Sequence, residues 1–271
     1  MMGFETRASI SGRTRLVVIV AHPIGHVRTP AAMNAEFCAT GRDAVLVPMH
    51  VKPEDLSTVV DALRRIHSLD GIIVTVPHKE TIARLCDDLT DQARLVGAVN
   101  AIRREPDGRL IGGQFDGEGF VAGLRAAGHA VEGSRVWMAG AGGAAAGIGF
   151  ALLRHGVAAL TLHNRTDARA EALAERLRAA FPGRAVAAGG PDPSGHAIVI
   201  NATSLGLKPE DPLPVDPTRL ARPMLAAEVV MEPEVTPFLA AAAARGCATH
   251  PGLPMLTHQV PILADFVLGR R

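Results

Sequence analysis

At 271 residues, nearly half of them hydrophobic, the chain can bury a sizeable core in one large or two ordinary domains. A formal net charge of +1, no long charge run, few aromatics and no tyrosine argue against nucleic acid or an anionic membrane surface as a partner. Cys38, Cys86 and Cys247, odd in number and far apart, read as reduced, buried thiols of a cytoplasmic protein rather than a disulfide frame.

Met1 to Arg15 is polar and reads as a loose terminus. Leu16–Ala21 is a short apolar run, a buried strand rather than a leader, because it runs into a loop and not a cleavage site. Pro30 opens a helix to about Thr40, and Ala44–Met49 is a second strand. Leu56, Val59, Val60, Leu63 and Ile66 have helical spacing within 53–66, and Gly71–Val76 is a third strand stopped by Pro77. A helix start at Lys79, a helix over Thr90–Val96, and strands over Ala98–Arg103 and Leu110–Gly112 joined by a turn at Pro106-Asp107-Gly108 follow. Gly117–Ala127 reads as a connecting helix. Beyond it come strands at Val136–Ala139, Ala159–His163, Ile198–Ile200 and Leu225–Val230. Helices are expected at Ala144–His155, at Pro237–Arg245, and at Met255–Leu268, the last kinked or started late by Pro261. Alternation of this kind predicts an α/β chain with parallel sheets and helices on both faces, dividing near Asp116. Val136–Leu153 is uncharged and long enough to cross a membrane, but its five glycines and strand–turn–helix pattern favour a soluble reading.

The glycine cluster carries the first chemistry. Gly140, Gly142 and Ala145 fill the three positions of G-x-G-x-x-G/A between a strand and a helix, where backbone amides and the helix dipole receive a dinucleotide pyrophosphate. At the end of the next strand stand Asn164, Arg165 and Thr166 in place of the acidic residue that usually holds NAD ribose. A guanidinium and a hydroxyl suit a 2′-phosphate, which favours NADP, while Asp167 keeps NAD open. The same residues also read as a helix start with Asn164 as N-cap. The second candidate is Val74-Thr75-Val76-Pro77-His78-Lys79, which sets a lysine at the C-terminal edge of a sheet. Such a lysine can exchange a proton beside a hydride transfer, and Asp116 is a candidate partner. A solvated first-turn lysine and an N-cap aspartate are the plainer readings of the two. His22, His26 and His78 lack carboxylates at ligand spacing, and no H-E-x-x-H, C-x-x-C or Gly-x-Ser-x-Gly occurs, so no metal and no hydrolase elbow is expected.

With these elements in place the chain resembles the shikimate and quinate dehydrogenases over nearly its whole length. The motifs that carry the resemblance are Pro23-Ile24-Gly25-His26 with Thr29-Pro30 and Asn34, the Val74–Lys79 segment, Gly97-Ala98-Val99-Asn100, and Asp116-Gly117-Glu118-Gly119. They continue with Gly140–Ala144, Asn164–Thr166, Asn201-Ala202-Thr203-Ser204-Leu205-Gly206, and Gly252-Leu253-Pro254-Met255-Leu256 with Gln259. The resemblance implies an N-terminal α/β substrate-binding domain and a Rossmann-type NADP-binding domain separated by a cleft. The first would be residues 1–115 plus 253–271 and the second 116–252. Lys79 and Asp116 would be the catalytic pair. Thr29 would bond a substrate carboxylate, and Thr75, Asn100 and Gln259 its ring hydroxyls. Gly140, Ala141, Gly142, Gly143 and Ala144 would hold the pyrophosphate, and Asn164, Arg165, Thr166 and Arg169 the 2′-phosphate side. Thr203, Val229 and Gly252 would line the nicotinamide half. The implied reaction is reversible hydride transfer between NADP and a ring hydroxyl, on a small hydroxy acid, in the cytoplasm, by a monomer or homodimer placed in aromatic amino acid biosynthesis.

The departures from the family pattern fall on substrate positions. The loop that offers two hydroxyls to the carboxylate, Ser-x-Ser, is Val27-Arg28-Thr29 here, a loss of roughly 1.5–3 kcal/mol. The usual Asn before Val-Thr is Ile73, Asn-Thr-Asp has become Gln114-Phe115-Asp116, and Met231 stands for a common tyrosine. A larger, more apolar pocket wall is expected. The alternative of an NADP-binding sensor with little turnover is disfavoured by the retained Lys79 and Asp116.

Overall fold

The structure, a computed structural model, describes residues 10–25 and 27–269. Part of the expected loose terminus and His26 lie outside the described residues. The chain forms two compact units, residues 1–115 with 260–271, and residues 116–259.

In the first unit the strands are β1 (Arg15–Ala21), β2 (Ala44–His50), β3 (Leu69–Val74), β4 (Asp88–Leu89), β5 (Ala101–Arg104) and β6 (Leu110–Gly113). The helices are α1 (Thr29–Ala39), α2 (Leu56–Arg64), α3 (Lys79–Ala83) and α4 (Asp91–Val96). The sheet order is β2-β1-β3-β5-β6-β4. Here the expected parallel sheet is mixed rather than purely parallel. β1, β2 and β3 are parallel, but β5 runs antiparallel to β3 and β6 antiparallel to β5. The β5–β6 reversal follows from the short Glu105–Arg109 connection, closed by Glu105 N–H to Arg109 O at 2.8 Å, which only a hairpin can span. α2 buries Leu56, Val60 and Leu63, one helical stripe, against Val18, Val20, Ile72 and Val74. β4 was not foreseen, since two residues carry no periodic signal.

The second unit holds α5 (Asp116–Ala126), β7 (Arg135–Ala139), α6 (Gly143–Arg154), β8 (Ala159–His163), α7 (Asp167–Ala180) and β9 (Ala185–Ala188). It continues with β10 (Ile198–Asn201), β11 (Leu225–Glu228), α8 (Pro237–Ala244), β12 (Ala248–His250) and the first part of α9 (Leu253–Leu268). All its strands are parallel, ordered β12-β11-β10-β7-β8-β9. Counted from β7 this is 3-2-1-4-5-6, the doubly wound order whose switch point lies between β7 and β10. Trp137 is fully buried in the core beside Val199 and Phe238, and its indole N–H is satisfied by Gly190 O at 3.1 Å.

Two local expectations change. α9 runs unbroken from Leu253 to Leu268 with Pro261 inside it, rather than starting late. Cys38 is exposed and Cys86 half-buried; of the three thiols only Cys247 is buried. No helix among the described residues is long and apolar enough to cross a membrane.

Candidate active site

In the first unit the predicted residues gather at one sheet edge. β3 ends at Val74, two residues earlier than expected. Thr75 N–H still reaches Val20 O at 3.2 Å, but the Thr75 carbonyl then accepts the His78 N–H at 3.0 Å and Pro77 has no N–H to give. His78 is almost fully buried, and its Nε2 bonds Val51 O at 2.8 Å. Burial holds its pKa below the usual imidazole value, opposed by that carbonyl and aided by the charge of His22. The anchored ring fixes the turn that delivers Lys79 to the first position of α3.

The loop after β1 leaves the same edge, where His22 N–H donates to Val76 O at 3.2 Å. In that loop Val27 N–H bonds Ile24 O, and Thr29, half-buried, opens α1. The antiparallel β5 brings its own beginning to this edge as well. Val99 N–H donates to Lys79 O at 2.9 Å, and Val74 N–H to Asn100 O at 2.8 Å. Asn100 is 3 % exposed, and its Oδ1 accepts the Phe115 N–H at 3.0 Å. Thr75, Lys79 and Asn100 are therefore brought together by backbone bonds.

The pocket-wall expectation is corrected at Ile73. Ile73 is 3 % exposed and paired in the sheet between Ile19 and Ala101, a core residue. The half-buried Phe115 ring packs tilted against Phe266 at 4.9 Å and covers Gly113, where a Cβ would lie 2.6 Å from it.

In the second unit Asp116 is the first residue of α5, not its N-cap, and is 2 % exposed. Its Oδ1 accepts from Gln259 Nε2 at 3.1 Å, with Gln259 5 % exposed. The motif around it is a packing code. A Cβ on Gly117 would sit 2.0 Å from Gly147 O of α6, and one on Gly119 would sit 2.5 Å from Met255 O of α9. Glu118 pairs with Arg154 at 2.9 Å and with His155 at 3.0 Å.

The glycine turn lies at the switch point. Gly140 has φ +114°, and a Cβ there would meet Ala202 O at 2.7 Å. Only glycine satisfies both limits. Gly142 is the N-cap of α6 in extended backbone, and a Cβ on it would meet nothing within 4 Å. Ala141, Gly143 and Ala144 flank it, and Ala145 is fully buried on the core side. At the end of β8 the N-cap of α7 is Thr166 rather than Asn164, and its side chain caps nothing. Asn164 Nδ2 instead donates to Thr166 O at 3.0 Å, while Arg165, Thr166 and Arg169 are exposed. Thr203, Val229 and Gly252 converge on the same edge. Val229 N–H bonds Asn201 O at 3.1 Å, and a Cβ on Gly252 would meet Val230 O at 2.3 Å. The sequence reading passed over Glu228, fully buried at the end of β11. The signal was a lone carboxylate closing an apolar strand run.

Geometry of this kind has known counterparts. Residues 19–102 match the family model of the shikimate dehydrogenase substrate binding domain. The chain is 44 % identical over 260 residues to the shikimate dehydrogenase (NADP(+)) of Rubrobacter xylanophilus, covering 92 % of this chain and 89 % of that one. Among solved structures, the 5-ketofructose reductase of Gluconobacter sp. strain CHM43 superposes with a TM-score of 0.83 at 34 % identity, covering 96 % of this chain and 95 % of that one. The shikimate 5-dehydrogenase of Listeria monocytogenes, solved with shikimate and NAD, superposes with a TM-score of 0.86 at 30 % identity, covering 97 % and 95 %. On this evidence the chain belongs to the shikimate dehydrogenase family.

Proposed function

We propose that the chain is an NADP-dependent dehydrogenase that interconverts a ring hydroxyl and ketone of shikimate or a related polyhydroxy alicyclic carboxylate. The carrying observation is the glycine turn at the switch point, with open space at Gly142, in a chain that also keeps a lysine and an asparagine tied to one sheet edge. The turn fits a dinucleotide: Gly140 allows the bend, Gly142 leaves room for a phosphate against the backbone, and the first amides of α6 point outward without a side-chain cap. Arg165 and Thr166 suit the 2′-phosphate, with Asn164 holding their loop and Arg169 one turn on. When bound, the nicotinamide supplies or accepts the hydride.

The chain's own residues do the rest. Lys79 takes the hydroxyl proton during oxidation and returns it during reduction, and Asp116 is the second residue of proton handling. Gln259 fixes the Asp116 carboxylate. Thr75, Asn100 and Gln259 bind ring hydroxyls, and Thr29 bonds the carboxylate. Thr203, Val229 and Gly252 flank the nicotinamide. We place the protein in the cytoplasm as a monomer or homodimer acting on a small molecule rather than on nucleic acid.

A second substrate reading has one observation in its favour. A neutral ketose needs no hydroxyl pair for a carboxylate, and Val27 removes half of that pair. The 5-ketofructose reductase likeness points the same way. Steady-state assays with NADP and NAD on shikimate, quinate and aminoshikimate, and of 5-ketofructose reduction with NADPH, decide between them. Turnover on a cyclic acid that falls at least about a hundredfold in Lys79→Ala, with NADP affinity unchanged, is expected. Tight NADP binding with no turnover on any of these compounds refutes the assignment.

A further inference from the structure

The second unit contains a carboxyl group that the reaction does not use. Glu228 closes β11 and is 0 % exposed. Its Oε2 accepts from Asn201 Nδ2 at 3.3 Å and from the Thr236 hydroxyl at 3.0 Å, while Oε1 is buried without a partner. Asn201 uses its whole side chain. Nδ2 also donates to Leu205 O at 2.9 Å, and Oδ1 accepts the Thr203 N–H at 3.1 Å and the Thr203 hydroxyl at 2.6 Å. The Thr203 hydroxyl in turn accepts the Leu205 N–H at 3.0 Å. Thr236 closes the circuit, since a Cβ on Gly206 (φ +102°) would touch its Cβ at 3.3 Å. The Asn201–Gly206 loop and the Val229 strand end thus hang on one buried carboxyl.

We propose that Glu228 is a positioning residue for the cofactor's reactive end, holding Thr203 and Val229 in place through Asn201 and Thr236. The inference rests on the reading of this unit as the NADP site. The neutral acid is the form that fits: an ionised carboxylate would leave charge on Oε1 with no donor in a dry site. Relief would come from admitting water, or from taking Asn201 Nδ2 away from Leu205 O, and either opens the loop. Burial pushes this acid up to about 7, against which the two donors work. Among the described residues, no cationic neighbour contributes to this shift. β10 and α8 carry no ionisable side chain, and β12 contributes only His250. His250 pairs with Ala227, so it lies on the opposite face from Glu228, against Phe120 and His129. Asp211 accepts from the Gly206 and Lys208 amides and so holds the outer side of the loop.

The test is calorimetric titration of the full chain with NADP from pH 5.5 to 8.5, for wild type and Glu228→Gln, with KM and kcat over the same range. In wild type the Kd for NADP is expected to rise roughly three- to tenfold as pH passes through about 7, beyond the drift seen in Glu228→Gln. The effect should fall on KM for NADP rather than on kcat. Thr236→Val, which removes one donor, is expected to weaken NADP binding to a similar degree while Thr236→Ser restores it. These two variants carry the test if Glu228→Gln does not fold. NADP binding by wild type with the same pH profile in Glu228→Gln, or with Thr236→Val binding normally, overturns this inference alone. Failure of wild type to bind NADP at any pH overturns the reading of the site and the inference with it.

Discussion

Gly142→Ala separates cofactor binding from folding at a single atom. The new Cβ meets nothing within 4 Å, and φ −88° with ψ −174° is extended backbone open to alanine. Losing glycine at an N-cap costs up to about 1 kcal/mol, and the stiffer unfolded chain returns about 0.4–1 kcal/mol. The net is close to zero, so Tm should move by less than about 4 °C for a chain of this length. The space the methyl enters is where a pyrophosphate would press against the backbone. Losing one charge-assisted amide contact is worth about 1.5–3 kcal/mol, roughly ten- to over one-hundredfold in Kd. Differential scanning fluorimetry and calorimetric titration with NADP measure the two quantities on one preparation. Unchanged NADP affinity would refute the placement of the phosphate at this turn. A Tm fall of more than about 10 °C would refute the claim that the space is empty of protein.

Gly117→Ala should behave in the opposite way, because its Cβ would sit 2.0 Å from Gly147 O and 2.7 Å from the Ala151 Cβ. Two helices must separate, and loss of several kcal/mol in urea denaturation, or of soluble protein, is expected. Arg165→Ala should raise KM for NADP roughly tenfold or more while leaving KM for NAD unchanged, read from paired steady-state assays. Stability should also carry two opposed pH slopes. Glu228, raised from 4.5 to about 7 chiefly by burial, keeps its proton in the folded chain after the unfolded chain has lost it. Its contribution of about 3 kcal/mol is therefore present below pH 4.5 and lost as pH rises through 7. His250, lowered from 6.5 to about 4 by burial and by His129 and His258, works in reverse. It contributes a similar amount above pH 6.5 that is lost as pH falls through 4. Urea denaturation of Glu228→Gln across pH 5–8 should show the falling slope removed and the His250 slope exposed; a variant profile with the same pH dependence as wild type would count against the Glu228 assignment.

Much of this was legible in the residues. The strand–glycine–helix pattern at Val136–Arg154 needs glycine for reasons internal to one short segment, φ at Gly140 and open space at Gly142, and such local demands survive in sequence. What was not legible depends on partners distant in the chain. Ile73 looked like a pocket change, because nothing local reveals that it lies inside a sheet between Ile19 and Ala101. Thr166 and Asn164 exchanged places as cap because Asn164 turns its amide onto the Thr166 carbonyl, a choice between two competent residues made by loop geometry. Glu228 was overlooked because its meaning lies in Asn201 and Thr236.

The reversed direction of β5 has a consequence for how active-site residues are distributed along the chain. In a parallel sheet every reactive loop follows a strand. Here Asn100 precedes one, and it reaches the lysine edge only because β5 begins where β3 ends. The two ends of that strand are thus under separate demands. The residues before β5 are fixed by hydrogen bonds to Lys79 and Val74, whereas among the described residues the backbone bonds of the Glu105–Arg109 hairpin at its far end stay within the hairpin. Length and composition can drift at the hairpin while the chemistry stays in place, so relatives that differ there need not differ in what they bind.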